Sequence, residues 1–141
     1  MYAAKTTVSI EKTRMEIEAM LTRFGAAKMA TFVEASMAVI VFEAKDRRLK
    51  FSLPLPTKYP SAAKLEQQRR SRWRGLFLCI KAKLESVESG IETFEEAFLS
   101  HVVTADGQTV YEHVKAPIAL SYKTGNMVPL LSGHRDGPEV D

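Results

Sequence analysis

SAAKLEQQRRSRWRGLFLCIKAKLESVESGI, Ser61 to Ile91, is the stretch whose reading decides the fold. Ser61 is a plausible helix cap, and nothing from Ala62 to Ser89 breaks helical periodicity, so roughly 28 residues and about 42 Å of helix are expected. Trp73, Leu76, Phe77, Ile80, Leu84, Val87 and Ile91 recur at spacings of three and four. One stripe of this helix must therefore be buried. Gly90 followed by Ile91 fits a left-handed stop with an apolar contact behind it. On the helical wheel the stripe is flanked by Arg70, Arg74 and Lys81 on one side and by Arg72 and Lys83 on the other. Leu78 falls on the opposite face, which fits a second packing layer from the C-terminal helices or a homo-oligomer contact.

Toward the N-terminus, the stretch before the helix reads as strands. Arg48–Leu55 alternates, with Leu49, Phe51, Leu53 and Leu55 on one face and Lys50 and Ser52 on the other. Met37–Glu43 is rich in β-branched residues and reads as the central strand, and Lys28–Glu34 as a modest one. The short connections at Glu34-Ala35-Ser36 and Lys45-Asp46 favour an antiparallel meander over crossovers. Pro54 and Pro56 end the third strand and suggest a sheet edge. Before the strands, Ser9 caps an amphipathic helix over residues 10–24 with Gly25 as its stop, and residues 1–8 look frayed.

Toward the C-terminus, Thr93-Phe-Glu-Glu96 and Thr109-Val-Tyr-Glu112 both have the capping-box form, in which each side chain satisfies the other residue's free amide. The first opens a short helix to about His101 and the second one to about Lys115. Pro117 suits the first turn of a further short helix stopped at Gly125. Met127–Leu131 reads as an apolar strap on the body and residues 132–141 as a disordered tail. The expected fold is α+β. It has an N-terminal helix, a three-stranded antiparallel β-meander, a long central helix on the same face as the first, and short C-terminal helices packed on the long one. Residues 1–131 form a single domain.

The chain has 141 residues, enough for one core without staples. Its 45% hydrophobic and 26% charged residues fit a soluble globular protein, with no run approaching a membrane span. Cys79, the only cysteine, cannot form an internal disulfide, which points to a reducing cytoplasm. Its place at the margin of the stripe suggests a small buried or half-buried packing residue. Charge is distributed unevenly. Residues 45–83 hold twelve basic side chains against Asp46 and Glu66, a net of +10, while residues 91–141 carry −5. Such asymmetry points to a polyanionic partner or to attraction between the two parts, including head-to-tail association of copies.

Catalytic signals are lacking. His101, His113 and His134 have no supporting ligand cluster of the kind zinc needs. Glu92, Glu95 and Glu96 are explained by capping and the helix dipole. No nucleophile elbow, phosphate loop or metalloprotease motif occurs. A non-enzyme without cofactor or metal is expected. The remaining candidate is the basic surface of Arg69, Arg70, Arg72, Arg74 and Lys81, extended by Lys45, Arg47, Arg48 and Lys50 from the second hairpin. Arginines on a rigid helix present planar forks of donors suited to phosphates. The competing account is a solvated helix whose arginine stems cover apolar surface.

The run WRGLFLCIKAKLESVESGIETFEEAFLSHVVTADGQTVYEHVKAP, with the earlier RLKFSLPLP and the closing YKTGNMVPLL, resembles a family of small uncharacterised proteins encoded by tailed bacteriophages and prophages. The resemblance spans most of residues 8–132. It implies a phage context, in the cytoplasm of the bacterial host, and supplies no site residues. The order helix–strand–strand–strand–helix also resembles double-stranded-RNA-binding domains in topology, although their G-P-x-H loop is missing here. The sequence thus points to a non-enzymatic phage accessory protein that binds DNA or RNA electrostatically through the basic helix and hairpin. The alternative is an inhibitor or adaptor acting on a host protein complex.

Overall fold

The computed structural model describes residues 3–131, and the tail expected over 132–141 lies outside them. Its order is α1 (Ile10–Phe24), β1 (Lys28–Val33), β2 (Met37–Ala44), β3 (Arg47–Pro54), α2 (Ala62–Glu88), α3 (Phe94–Phe98), a 3₁₀ turn (Leu99–His101) and α4 (Val110–Thr124). The α+β architecture with one antiparallel sheet in the order β1-β2-β3 is as the pattern requires.

Local chemistry sets the ends of these elements. Ser9 and Ser61 accept the amides of Lys12 and Lys64, and each helix begins there. Both Thr93 and Thr109 form complete capping boxes with Glu96 and Glu112. Gly25 sits at φ 110° and closes α1 by donating to Leu21 O and Thr22 O, a conformation that glycine adopts without a Cβ clash. The β2–β3 hairpin turns on Lys45 and Asp46, both at positive φ (53° and 60°), as a two-residue turn between twisted strands demands.

The helices cover one face of the sheet. Ala38, Ile40, Phe42 and Ala44 of β2 and Leu49, Phe51 and Leu53 of β3 point inward. They meet Ile17, Met20 and Leu21 of α1 and Trp73, Leu76, Ile80 and Leu84 of α2. Phe98 from α3 is fully buried, with its ring 5.2–6.4 Å from the rings of Phe24, Phe42, Phe51 and Phe94. Five residues of helix could not hold α3 in place by themselves; this aromatic anchor does.

Several expectations are corrected. Residues 3–8 are ordered against α2: Ala3 is buried, Ser71 Oγ donates to Ala3 O at 2.8 Å, and Gln67 donates to Ala4 O and Thr6 O. Ile91 is 79% exposed, so the α2 stripe ends at Val87. Gly90 still makes the turn at φ 73°, with the Ile91 amide bonded to Ser86 O. Cys79 is exposed rather than buried or half-buried. The two short helices expected after Thr109 are one, because Pro117 lies inside α4 and its fixed φ suits the helix at the loss of one hydrogen bond. Of the elements after α2, α3 packs on it, whereas α4 packs mainly on the 3₁₀ turn. No residue of α4 after Thr109 is buried, and Met127 and Leu131 of the expected strap are also exposed.

Candidate nucleic-acid interface

The arginines of α2 face inward to partners rather than outward to solvent. Arg69 donates from Nε to Pro56 O (3.3 Å) and from Nη2 to Ala35 O (3.1 Å). Arg72 donates from Nε to Pro54 O at 3.1 Å. Chain leaving a sheet carries carbonyls with no ladder partner, and guanidinium forks supply the missing donors. On the other flank Arg74 pairs with Glu16 of α1 at 3.0 Å and lies 4.1 Å over the ring of Phe77. Arg70 donates to Gln67 Oε1 (2.8 Å) and pairs with Glu66. Lys81 reaches only Glu85, one turn on, and Lys83 donates to Ala97 O. The wheel places these side chains correctly beside the stripe. The acceptors of Arg69, Arg72 and Arg74 lie 13 to 58 residues away, so local spacing alone leaves these forks facing solvent.

The hairpin residues form a separate group. Arg69 and Arg72 grip the end of the sheet at Ala35 and Pro54–Pro56, whereas Lys45 and Arg47 sit at the opposite end of β3. Seven residues of strand separate the ends, about 23 Å. The single patch expected from helix and hairpin is therefore two. Lys45 lies over Phe24 (5.4 Å), and Arg47 pairs with Glu95 of α3 at 3.3 Å. Arg48 pairs with Glu43 at 3.4 Å but keeps a largely exposed side chain.

Arg48 and Lys50 belong to a surface that the sequence reading did not single out, the outer face of the sheet. The register puts Lys28, Ala30 and Phe32 of β1 beside Val39, Val41 and Glu43 of β2 and then Arg48, Lys50 and Ser52 of β3. All of these except Ser52 line a groove of about 550 Å³, closed at one rim by Val103 and Gly107. Phe32 is 61% exposed in it. Lys28, Arg48 and Lys50 surround it, with Glu43 bridging the first two at 3.9 and 3.4 Å. A signal for this face existed. β2 is apolar at both alternations, while the amphipathic helices supply enough apolar stripe for only one face of the sheet.

The loop at the rim is rigidly built. Val103 N–H donates to Arg48 O at 2.8 Å, so residues 102–103 cover the outer edge of β3. Asp106 accepts from the Thr104 hydroxyl (2.6 Å) and the Gln108 amide (3.0 Å) and pairs with His113. Those bonds, the Thr104 hydroxyl first, hold its pKa down to about 2. Thr104 and Asp106 both approach the same ring nitrogen of His113, Nε2, so no proton relay through the ring is set up. His101 stacks on Phe51 with centroids 3.8 Å apart and donates from Nδ1 to Lys50 O. Burial lowers its pKa, which favours the neutral ring. Capping amides and hydroxyls likewise lower Glu96 and Glu112. Among the described residues no group of three His, Cys, Asp or Glu is placed to hold a metal ion, and no helix is long and apolar enough to cross a membrane.

Comparison of the chain with family models, curated proteins and solved structures gives no match.

Proposed function

We propose that the protein binds single-stranded nucleic acid on the outer face of its sheet, with no chemistry performed on it. The observation that carries this reading is Phe32, an aromatic ring left largely exposed on a sheet face ringed by Lys28, Arg48 and Lys50. Bases stack on such a ring irrespective of sequence, and the surrounding cations meet phosphates. Duplex DNA offers no free base to Phe32, so single strands are favoured. The reading keeps the hairpin residues Arg48 and Lys50 anticipated as contacts and moves the others to structural work. It suits an accessory protein acting in a bacterial cytoplasm, the phage setting that the sequence resemblance implies.

Fluorescence anisotropy with labelled single-stranded and duplex oligonucleotides at two salt concentrations tests it. Three phosphate contacts give a salt slope of about −2 for single strands. Lys50→Ala should reduce that slope by about 0.7, and Phe32→Ala should weaken binding by about 1–3 kcal/mol. Undetectable binding at low salt would refute the proposal, as would unchanged binding in both variants.

The adaptor alternative draws on α4, where Ile118, Leu120 and Tyr122 are exposed. A host protein retained after nuclease digestion, and lost on Tyr122→Ala, would favour it over nucleic acid.

A further inference from the structure

Among the described residues, one edge of the sheet is covered and the other is bare. Beyond β3, residues 102–103 bond to Arg48 O. Beyond β1, no further strand follows among the described residues. Edge strands that stay solitary carry prolines, bulges or charges among their central residues. Met29–Val33 (MATFV) has none of these, and every backbone φ in it is negative. The strand is also apolar on both faces: Phe32 is 61% and Val33 52% exposed.

The ladder fixes which backbone groups point outward. Glu34 N–H donates to Met37 O, one position beyond the last β1–β2 pair, Val33 with Ala38. Alternation then turns residues 28, 30 and 32 toward β2, and leaves the N–H and C=O groups of Met29, Thr31 and Val33 on the free edge. Among the described residues these three amides have no backbone partner outside the sheet.

We infer that β1 pairs antiparallel with β1 of a second copy of this chain, about a two-fold axis at Thr31, to form one six-stranded sheet. The sequence from Lys28 to Glu34 is self-complementary about that residue. Thr31 meets Thr31 of the other copy, and Met29 meets Val33; both are hydrogen-bonded pairs that use every outward amide of both strands. On the outer face Phe32 packs on Ala30, a large ring against a small side chain. Lys28 faces Glu34, and the symmetry makes that ion pair twice. Both of these are non-hydrogen-bonded pairs, where opposing side chains approach most closely. Lys28 also reaches Glu43 in its own sheet, so the cross-strand contact joins an existing network. Sliding the axis by one residue in either direction leaves outward amides unpaired and removes the Lys28–Glu34 match. A two-fold contact of one patch with itself closes at a dimer and leaves no edge of β1 for further growth. The inference does not rest on nucleic-acid binding, although the pairing would join the two outer grooves into one surface.

Sedimentation velocity of the full chain over a dilution series is the test. Wild type should be a dimer. Thr31→Pro should be monomeric with unchanged circular dichroism, because that amide bonds no other backbone group among the described residues and an edge strand tolerates proline there. Lys28→Glu should weaken the dimer roughly tenfold by setting like charges opposite each other twice. Lys28→Glu with Glu34→Lys should restore it, which keeps the test decisive even if the proline variant misfolds. A monomer at every concentration would overturn the inference. So would a dimer that survives Thr31→Pro and the single charge reversal but dissociates on Ile118→Asp, which would place the contact on α4.

Discussion

Replacing Arg74 by alanine separates the two jobs that an arginine on α2 could have. In the structure its guanidinium holds Glu16 at 3.0 Å and covers Phe77 at 4.1 Å, with both charged side chains less than a third exposed. The ion pair contributes about 0.5–1 kcal/mol at that exposure. The stacked cation adds about 0.5–1 kcal/mol, and the lost stem uncovers apolar surface between α1 and α2. Together these suggest a loss of about 1.5–2.5 kcal/mol, a sizeable part of the stability of a domain of this size. With a urea m-value of about 2 kcal/mol/M, the unfolding midpoint should fall by about 1 M. Nucleic-acid affinity, measured where both proteins are fully folded, should change by less than twofold. Lys50→Ala should show the reverse, with stability within about 0.5 kcal/mol of wild type and weaker binding. Urea titration followed by tryptophan fluorescence reads the first quantity, since Trp73 is buried beside the contact, and anisotropy reads the second. An Arg74→Ala protein of wild-type stability that binds several-fold more weakly would refute the assignment of α2 to structure.

Two further outcomes follow from the core. Phe98→Ala removes a fully buried ring at the centre of the aromatic cluster and should cost about 3–5 kcal/mol, measured by urea unfolding; a loss below about 1 kcal/mol would show that α3 is not anchored there. His101 has a folded pKa below its ordinary 6.5, so the unfolded chain takes up the proton first as pH falls. Its stability contribution is therefore complete above about pH 6.5 and declines as pH drops from there toward the lower folded value. The unfolding midpoint of wild type should fall between about pH 7.5 and pH 5.5, and His101→Gln should flatten that change.

What could be read from the sequence follows the range of the physics involved. Caps and stops are local: Ser9, Ser61, Thr93 and Thr109 each act within three residues of themselves, and all four begin the elements their motifs announce. The inward faces of β2, β3 and α2 are legible for a similar reason, because the periods of strand and helix are properties of the backbone. Pro117 is the local exception. Its residue type suits a first turn and a helix interior at nearly the same φ, so only the continuous hydrogen bonding around it decides that α4 runs through.

The candidate site was legible only in part. Arg48 and Lys50 could be named from the hairpin, but Lys28 and Phe32 lie on a different strand and join them only through the register. The arginines of α2 were conspicuous as charge, and charge alone does not say whether a fork donates to solvent, to a phosphate or to a carbonyl at the end of a strand. Pro54, Pro56, Ala35 and Glu16 are 13 to 58 residues away from the arginines they hold. By itself, then, the sequence determined the elements as far as α3, their order, and the buried faces of β2, β3 and α2 up to Val87, since each follows from period and local hydrogen bonding. The tertiary structure alone decided that the basic residues divide between the two ends of the sheet, that its outer face and first edge stay open among the described residues, and that α4 rests mainly on the 3₁₀ turn with none of its residues buried. Those outcomes depend on which distant acceptors and apolar surfaces meet in space, and no local pattern encodes that.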